Sequence, residues 1–493
     1  MKNQRYFKQI LFGSCLFICM MTSQSCKKSF LDVPLQNKQP ASLFFQNAAD
    51  AGKAVNAMYA NLREYTNIAF APVAIESLGS DDTEKGSSPN DASYLNNFDN
   101  FTATAGEGQI LDYWRGQYQT INLANEVLDN VPGITMDDNL KTRYLAEAKF
   151  IRAYAYFRLV RAFGDVPLRL KVAKDAAEYN IQRSPKATVY AAMENDLNDA
   201  ALVLPQSYPA SDIGRITKGA ALALHAKVAM YQKKWNDVNT YTTQVIGLGY
   251  ALFPNYEQMF RTDNKNNVES IFEIQCMLVP GDQAASNSQY AQIQGVRGVT
   301  GGGWGFNVPT QDLVNAFEPN DPRLKGTIIF RGTTTLEGDA IPAVGDNPIY
   351  NMKSYVPFSQ YVSGYNEGCQ QNKIVLRYAD VLLMNAEAAN ELGQTAQALA
   401  SLELVRARAR QGNLVILPKV TTTDKAALRA AIYHERRVEL AMEFDRYFDV
   451  IRQGRGLEVF GPKGWTANKN EVWPIPQSEI DLSAGLLIQN PGY

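Results

Sequence analysis

The feature that most limits what this chain can become is a pair of alanine-rich helical segments that recurs along it. From residue 218 onward, Leu224, Val228, Tyr231 and Trp235 fall at i, i+4, i+7 and i+11 and form one apolar face. Ala220, Ala221, Ala223, Ala226 and Ala229 supply small side chains, and a polar break at Lys233 and Lys234 leads into a second helix over 236–247. The design returns downstream as a helix over 377–392, a turn at Gly393 and a helix over 395–410. There Ala379, Leu382, Ala386 and Ala389 can face Ala398, Leu402, Val405 and Ala409. Small side chains let two helix axes approach closely. A unit of this size buries its apolar face only by stacking on neighbours.

Periodicity predicts further helices over 48–65, where Ala51, Val55, Met58 and Leu62 keep helical spacing, and over 112–131, 138–163 and 188–204. Together these make three or four tetratricopeptide-like pairs and a mainly α fold. The helical repeats span about 46–253 and 373–453 of a single domain over 46–493. Between them lies a loop-rich insertion, about 254–372, in which 270–277 alternates as a strand does, with Ile271, Glu273 and Gln275 against Phe272, Ile274 and Cys276. Residues 79–108 also break the helical pattern with Gly, Ser, Pro, Asn and Asp. An irregular excursion of that length in a compact domain is usually functional or disordered.

The N-terminus reads as a targeting signal over 1–25: Lys2, Arg5 and Lys8 precede a short apolar run over 10–21 and then small polar residues. The run is too short to span a bilayer, which takes about 20 apolar residues. Ser23-Gln24-Ser25-Cys26 follows where a signal peptidase cuts, in a loose lipobox with Ser23 in the place of the usual Leu. Cys26 is therefore the expected lipidation site, and 26–45 the tether. Cys15 and Cys19 leave with the signal, so Cys276 and Cys369 remain, and their spacing does not decide whether they pair. With a formal net charge of −2, nothing favours nucleic acid.

Catalytic chemistry finds little support. The two histidines, His225 and His434, each fall inside a helix, and no nucleophile elbow, phosphate loop or metal-spaced Cys/His cluster is present. No cofactor is expected; a Ca²⁺ site at Asp81-Asp82 would need several more converging oxygens. That acidic pair is the one candidate for carboxylate-dependent glycoside hydrolysis, although adjacent acids on a loop more often cap turns or accept sugar hydroxyls. Over 435–452, Glu435, Glu439 and Glu443 alternate with Arg436, Arg437 and Arg446, with Asp449 before Arg452. On one helix these form a structural ion ladder, solvated or interhelical, opposite the stripe Leu440, Phe444, Tyr447 and Ile451.

The aromatics point to binding. Sugar rings present apolar C–H faces edged by hydroxyls, so a receptor offers flat rings surrounded by polar side chains. Trp304 stands in Gly301-Gly302-Gly303-Trp304-Gly305, where glycines give the indole little side-chain cover. It is either a platform or buried beneath the adjacent loop. Tyr94, Phe98 and Tyr290 are weaker aromatic candidates, each more in keeping with core or rim than with a platform, and Asp81, Asn96, Asn97 and Arg297 are candidate polar contacts.

Several stretches resemble the SusD/RagB family of lipid-anchored nutrient binders of Bacteroidota. They are Cys26-Lys27-Lys28-Ser29-Phe30-Leu31-Asp32; residues 112–129 with Tyr113-Trp114, Tyr118 and Ala124-Asn125; Gly303-Trp304-Gly305 to Pro309-Thr310; and Asp321-Pro322-Arg323. Further on come Leu376-Arg377-Tyr378-Ala379-Asp380, Glu435-Arg436-Arg437 to Arg446-Tyr447-Phe448-Asp449, Trp473-Pro474-Ile475-Pro476 and Gln489-Asn490-Pro491-Gly492-Tyr493. The resemblance implies four tetratricopeptide-like units, a loop-rich face binding an oligosaccharide through 78–104 and 283–306, no enzymatic activity, and a SusC-like TonB-dependent barrel as partner. It also implies a lipid-anchored place at the outer membrane, facing outside, although Lys27-Lys28 stands where many exported relatives carry acids. Peptide or glycoprotein capture on the same scaffold is the alternative.

Overall fold

The computed structural model describes residues 44–279, 281–282, 288–361 and 370–493. Every element named below belongs to the compact unit Asn47–Tyr493. Cys26, Cys369 and residues 283–287 of the expected binding loop lie outside the described residues.

Helix makes up 53% and strand 6%, the mainly α class expected. The longer helices are α1 (Ala48–Leu62), α2 (Gly108–Asn130), α3 (Asp138–Phe163), α4 (Lys186–Val203), α5 (Lys218–Tyr231), α6 (Trp235–Ile246), α7 (Tyr378–Glu391), α8 (Thr395–Arg410), α9 (Lys425–Glu439) and α10 (Arg446–Arg452). Their starts follow from capping chemistry. Asn47 Oδ1 accepts from the Ala49 and Asp50 amides at 2.9 and 3.2 Å. Asp137, Thr217 and Asp424 likewise accept the otherwise unpaired amides of Leu140, Ala220 and Ala427. Each helix from α1 to α7 packs on the next, and α7 also packs on α8 and α9. This neighbour-on-neighbour order is how a helical repeat buries its core. The alanines of α5 and α7 are buried at these contacts, and α6 meets α7 across the whole insertion.

The insertion is tied down by short antiparallel pairs. Strand β1 (Thr83–Gly86) runs against β3 (Phe306–Pro309), with Thr83 opposite Pro309 and Gly86 opposite Phe306. Strand β2 (Ser270–Ile274) runs against β6 (Lys373–Arg377), and β4 (Ile328–Phe330) against β5 (Ile349–Asn351). The strand expected over 270–277 ends at Ile274; beyond it the Cys276 amide donates to Asn372 Oδ1 at 2.8 Å.

The ladder expected on one helix over 435–452 requires correction. Helix α9 stops at Glu439, positive φ angles at Met442 (64°) and Phe444 (72°) turn the chain, and α10 begins at Arg446. The acids form an interhelical network instead of a solvated face. Glu439, fully buried, receives Arg377 Nη1 at 2.6 Å, Arg323 Nη1 at 3.0 Å and Arg408. Arg377 also reaches Glu269 at 2.7 Å and Glu443 at 2.8 Å, which joins the insertion to α7 and α9. Burial raises the Glu439 carboxyl, but Arg408, Arg377 and Arg323 outweigh it and hold it well below the carboxylate range. Desolvating charges costs several kcal/mol per ion, so such a network is stable only while every partner is in place.

Candidate functional site

The glycine-flanked loop before β3 is fixed by its own backbone. The amides of Gly303, Trp304 and Gly305 donate to the carbonyls of Val296, Gln292 and Gly295 at 2.7, 2.8 and 3.0 Å. The carbonyl of Gly305 accepts from the Ser87 amide at 2.6 Å and from Asn347 Nδ2 at 2.8 Å. This close approach is why glycine stands there. A Cβ on Gly303 would meet Gln292 O at 2.3 Å; at Gly305, φ is +72° and a Cβ would stand 2.5 Å from Asn347 Nδ2.

Held in this way, Trp304 is half-buried. Its indole stacks on Phe70 at 5.8 Å between ring centroids and 24° between planes. Phe70 in turn meets Phe306 at 4.9 Å and Tyr65 at 6.1 Å, both edge-on. Burial pushes the Tyr65 hydroxyl up to about 12, with nearby Tyr94 and Asp112 adding to the shift. Tyr94 is 40% exposed, and its hydroxyl accepts from Gln109 Nε2 at 3.4 Å. Phe70 thus sits at the centre of an aromatic cluster that joins Tyr65, Trp304 and Phe306, with Tyr94 close to Tyr65.

Polar groups border it. Arg297 Nη1 donates to Ser87 Oγ at 2.8 Å, Asp91 Oδ2 at 2.9 Å and the Trp304 carbonyl at 3.2 Å. Lys85 Nζ donates to the carbonyls of Gly86, Ser88 and Asp91 at 2.9, 2.8 and 2.9 Å and so braces the loop that carries Asp91. Fixed donors and acceptors beside a flat ring suit a polyhydroxylated ring compound.

Of the residues singled out in the sequence, the structure brings together Trp304 and Arg297, while Tyr94 stands near Asp91, the partner of Arg297. Asn96 is half-buried in the short helix Asn96–Asp99, and Asn97 Nδ2 donates to Glu107 Oε1 at 2.7 Å. Two candidates stand in other surroundings. Tyr290 is 5% exposed and packs against Phe444, so it is a core residue. Asp81 is held by Arg446 at 2.7 and 2.8 Å and by Arg437 at 3.0 Å, which occupies its oxygens. Phe98 is fully buried against Trp473.

The same two arginines govern Asp82, whose Oδ1 accepts from Arg437 Nε at 2.8 Å. Burial raises the Asp82 carboxyl against the pull of Arg437. Burial likewise opposes, without overcoming, the hydrogen bond and charge of Arg446 that lower Asp81. Guanidinium groups this close repel a second cation, so the pair does not fit a Ca²⁺ site. Among the described residues no cluster of three or more His, Cys, Asp or Glu side chains could hold a metal ion. Phe70, Tyr65, Ser87 and Asp91 do not stand out in the sequence; the run that holds Tyr65 and Phe70 carries only a core-like apolar signal.

Stacked helix pairs that present an aromatic platform on a braced loop define a helical-repeat binding protein. The comparisons make this specific. Residues 268–493 match the model of the SusD family, and residues 29–230 match one described as starch-binding associating with outer membrane. A solved laminarin binding SusD-like protein is 31% identical, with a TM-score of 0.80 over 91% of this chain and 100% of that one. SusD-like protein P2 of Formosa agariphila is 27% identical over 483 residues, 91% of this chain and 94% of that protein. The starch-binding protein SusD of Bacteroides thetaiotaomicron is 31% identical over 159 residues, 30% of this chain and 27% of that protein. The chain belongs to the SusD family, a family of binding proteins that are not enzymes.

Proposed function

We propose that this protein captures a neutral glucan oligosaccharide on the Trp304 platform and delivers it, as a hinged lid, to a SusC-like TonB-dependent transporter. The observation that carries the reading is the half-buried indole of Trp304, backed by Phe70 and flanked by Arg297, Ser87 and Asp91. An aromatic face takes the apolar side of a pyranose while the rim exchanges hydrogen bonds with its hydroxyls. The laminarin-binding relative supports a glucan as the ligand class. Acylation of Cys26, with 26–45 as a tether, would hold the protein at the outer face of the outer membrane; two or more acyl chains anchor durably, one only marginally.

Two measurements test this. A glycan and peptide array should give signals for laminarihexaose or maltoheptaose with the ligand's mass unchanged, whereas signals for peptides alone would move the reading to peptide capture. Native protein extracted with its membrane should carry an acyl group on Cys26 and co-purify with a TonB-dependent barrel. An unmodified Cys26 would refute the anchor.

A further inference from the structure

A concave surface lies beside Arg446, the partner of Asp81. Two adjoining clefts of about 360 and 370 Å³ share Arg429, Tyr433 and Arg455, so they form one groove between α9, the end of α10 and the turn before α6. Trp235 and Tyr433 supply aromatic surface there, both half-buried.

The groove's guanidinium groups are arranged alike. Arg446 grips Asp81 through Nε and Nη2, Arg429 grips Glu391 and Arg455 grips Glu458 through the same two nitrogens, and Arg437 uses them on Asp82 and Asp312. Bidentate pairing fixes each guanidinium plane. Among the described residues none of the four Nη1 nitrogens donates to another protein group, and all four arginines line the groove. The groove therefore offers a row of positioned donors. Each of these arginines is matched by a carboxylate, and so is Arg452, by Glu387 and Asp449; among the described residues Lys233 is the one lining cation outside an ion pair, so the groove's field is close to neutral. Sulfated or carboxylated chains, which a cationic field would select, gain little; uncharged hydroxyl acceptors gain fully.

We infer that this groove is a second binding site for neutral saccharide, separate from Trp304, with Tyr433 as the ring platform and the Nη1 groups of Arg429, Arg437, Arg446 and Arg455 as donors to sugar hydroxyls. The inference rests on the glycan reading above. A second contact on one long glucan raises avidity by effective concentration.

Titration calorimetry with laminarihexaose and maltoheptaose on the full mature chain tests it. Trp304→Ala should retain weak binding that falls roughly tenfold when Tyr433→Ala is added. Arg455→Gln, whose ion-pair partner among the described residues is the exposed Glu458, should weaken that residual binding by about two- to fivefold with no change in fold. The residual binding should be unchanged by added salt, since no charge is neutralised. Complete loss of binding in Trp304→Ala overturns the groove while leaving the Trp304 reading intact. Residual binding indifferent to both Tyr433→Ala and Arg455→Gln, or outcompeted by a sulfated oligosaccharide, also overturns it. Absence of binding in the unmodified protein overturns both readings.

Discussion

Trp304 lies nearly parallel to Phe70, 24° apart at 5.8 Å, although one ring comes from the central insertion and the other from the segment that follows α1. The pairing of β1 with β3 draws the two segments together. Phe70 covers one face of the indole, so the platform is a layered aromatic pair and not a lone exposed tryptophan.

The glycines beside Trp304 set its position. Gly303→Ala would place a methyl group 2.3 Å from Gln292 O and 2.6 Å from the Gly295 Cα. The loop must shift, which is expected to cost roughly 1–3 kcal/mol of stability and to weaken glycan binding as the indole moves. Thermal unfolding and calorimetric titration of the variant check both effects; an unaltered melting temperature would mean that the loop yields freely.

The buried network around Glu439 is expected to be indispensable. Glu439→Gln keeps the shape of the side chain but leaves Arg377, Arg323 and Arg408 short of a countercharge. Removing one partner from a buried cluster costs about 3–5 kcal/mol, read as a lower denaturant midpoint. A midpoint equal to that of the unmodified protein would show that the arginines are compensated elsewhere.

How much of the fold and site is legible in the sequence depends on range. The bounds of α3 and α8 follow from local periodicity and are found over 138–163 and 395–410 as expected. Trp304 is legible because four neighbouring glycines are a local signal. Asp81 misleads because its partner Arg446 lies 365 residues away, and nothing adjacent to an Asp-Asp pair reveals a distant guanidinium. The break between α9 and α10 is invisible for a similar reason: positive φ at Met442 and Phe444 comes from packing, since neither residue favours it. Phe70 and Tyr65 acquire a role only through the register of β1 and β3.

Stability should also respond to pH through His225. Its ring is 3% exposed and stacks on Tyr241 at 4.0 Å, and burial pushes its pKa down to about 4 against the opposing pull of Glu194 and Asp237. The unfolded chain takes up a proton near 6.5 and the folded one resists until about 4. The neutral ring's contribution is therefore complete above pH 6.5 and is lost as pH falls through the window from 6.5 to 4, on the order of 3 kcal/mol. Stability curves of the unmodified protein and His225→Gln should diverge in that window alone. Parallel curves would place the acid sensitivity in other groups.

The central claim is saccharide capture on the Trp304–Phe70 pair, and titration calorimetry of the unmodified protein and Trp304→Ala with laminarihexaose and maltoheptaose tests it most directly. Saturable binding to at least one glucan, weakened tenfold or more in the variant, by about 1.4 kcal/mol or more, is the expected result. Equal affinity in the two proteins, or no binding of either glucan to the unmodified one, would contradict it.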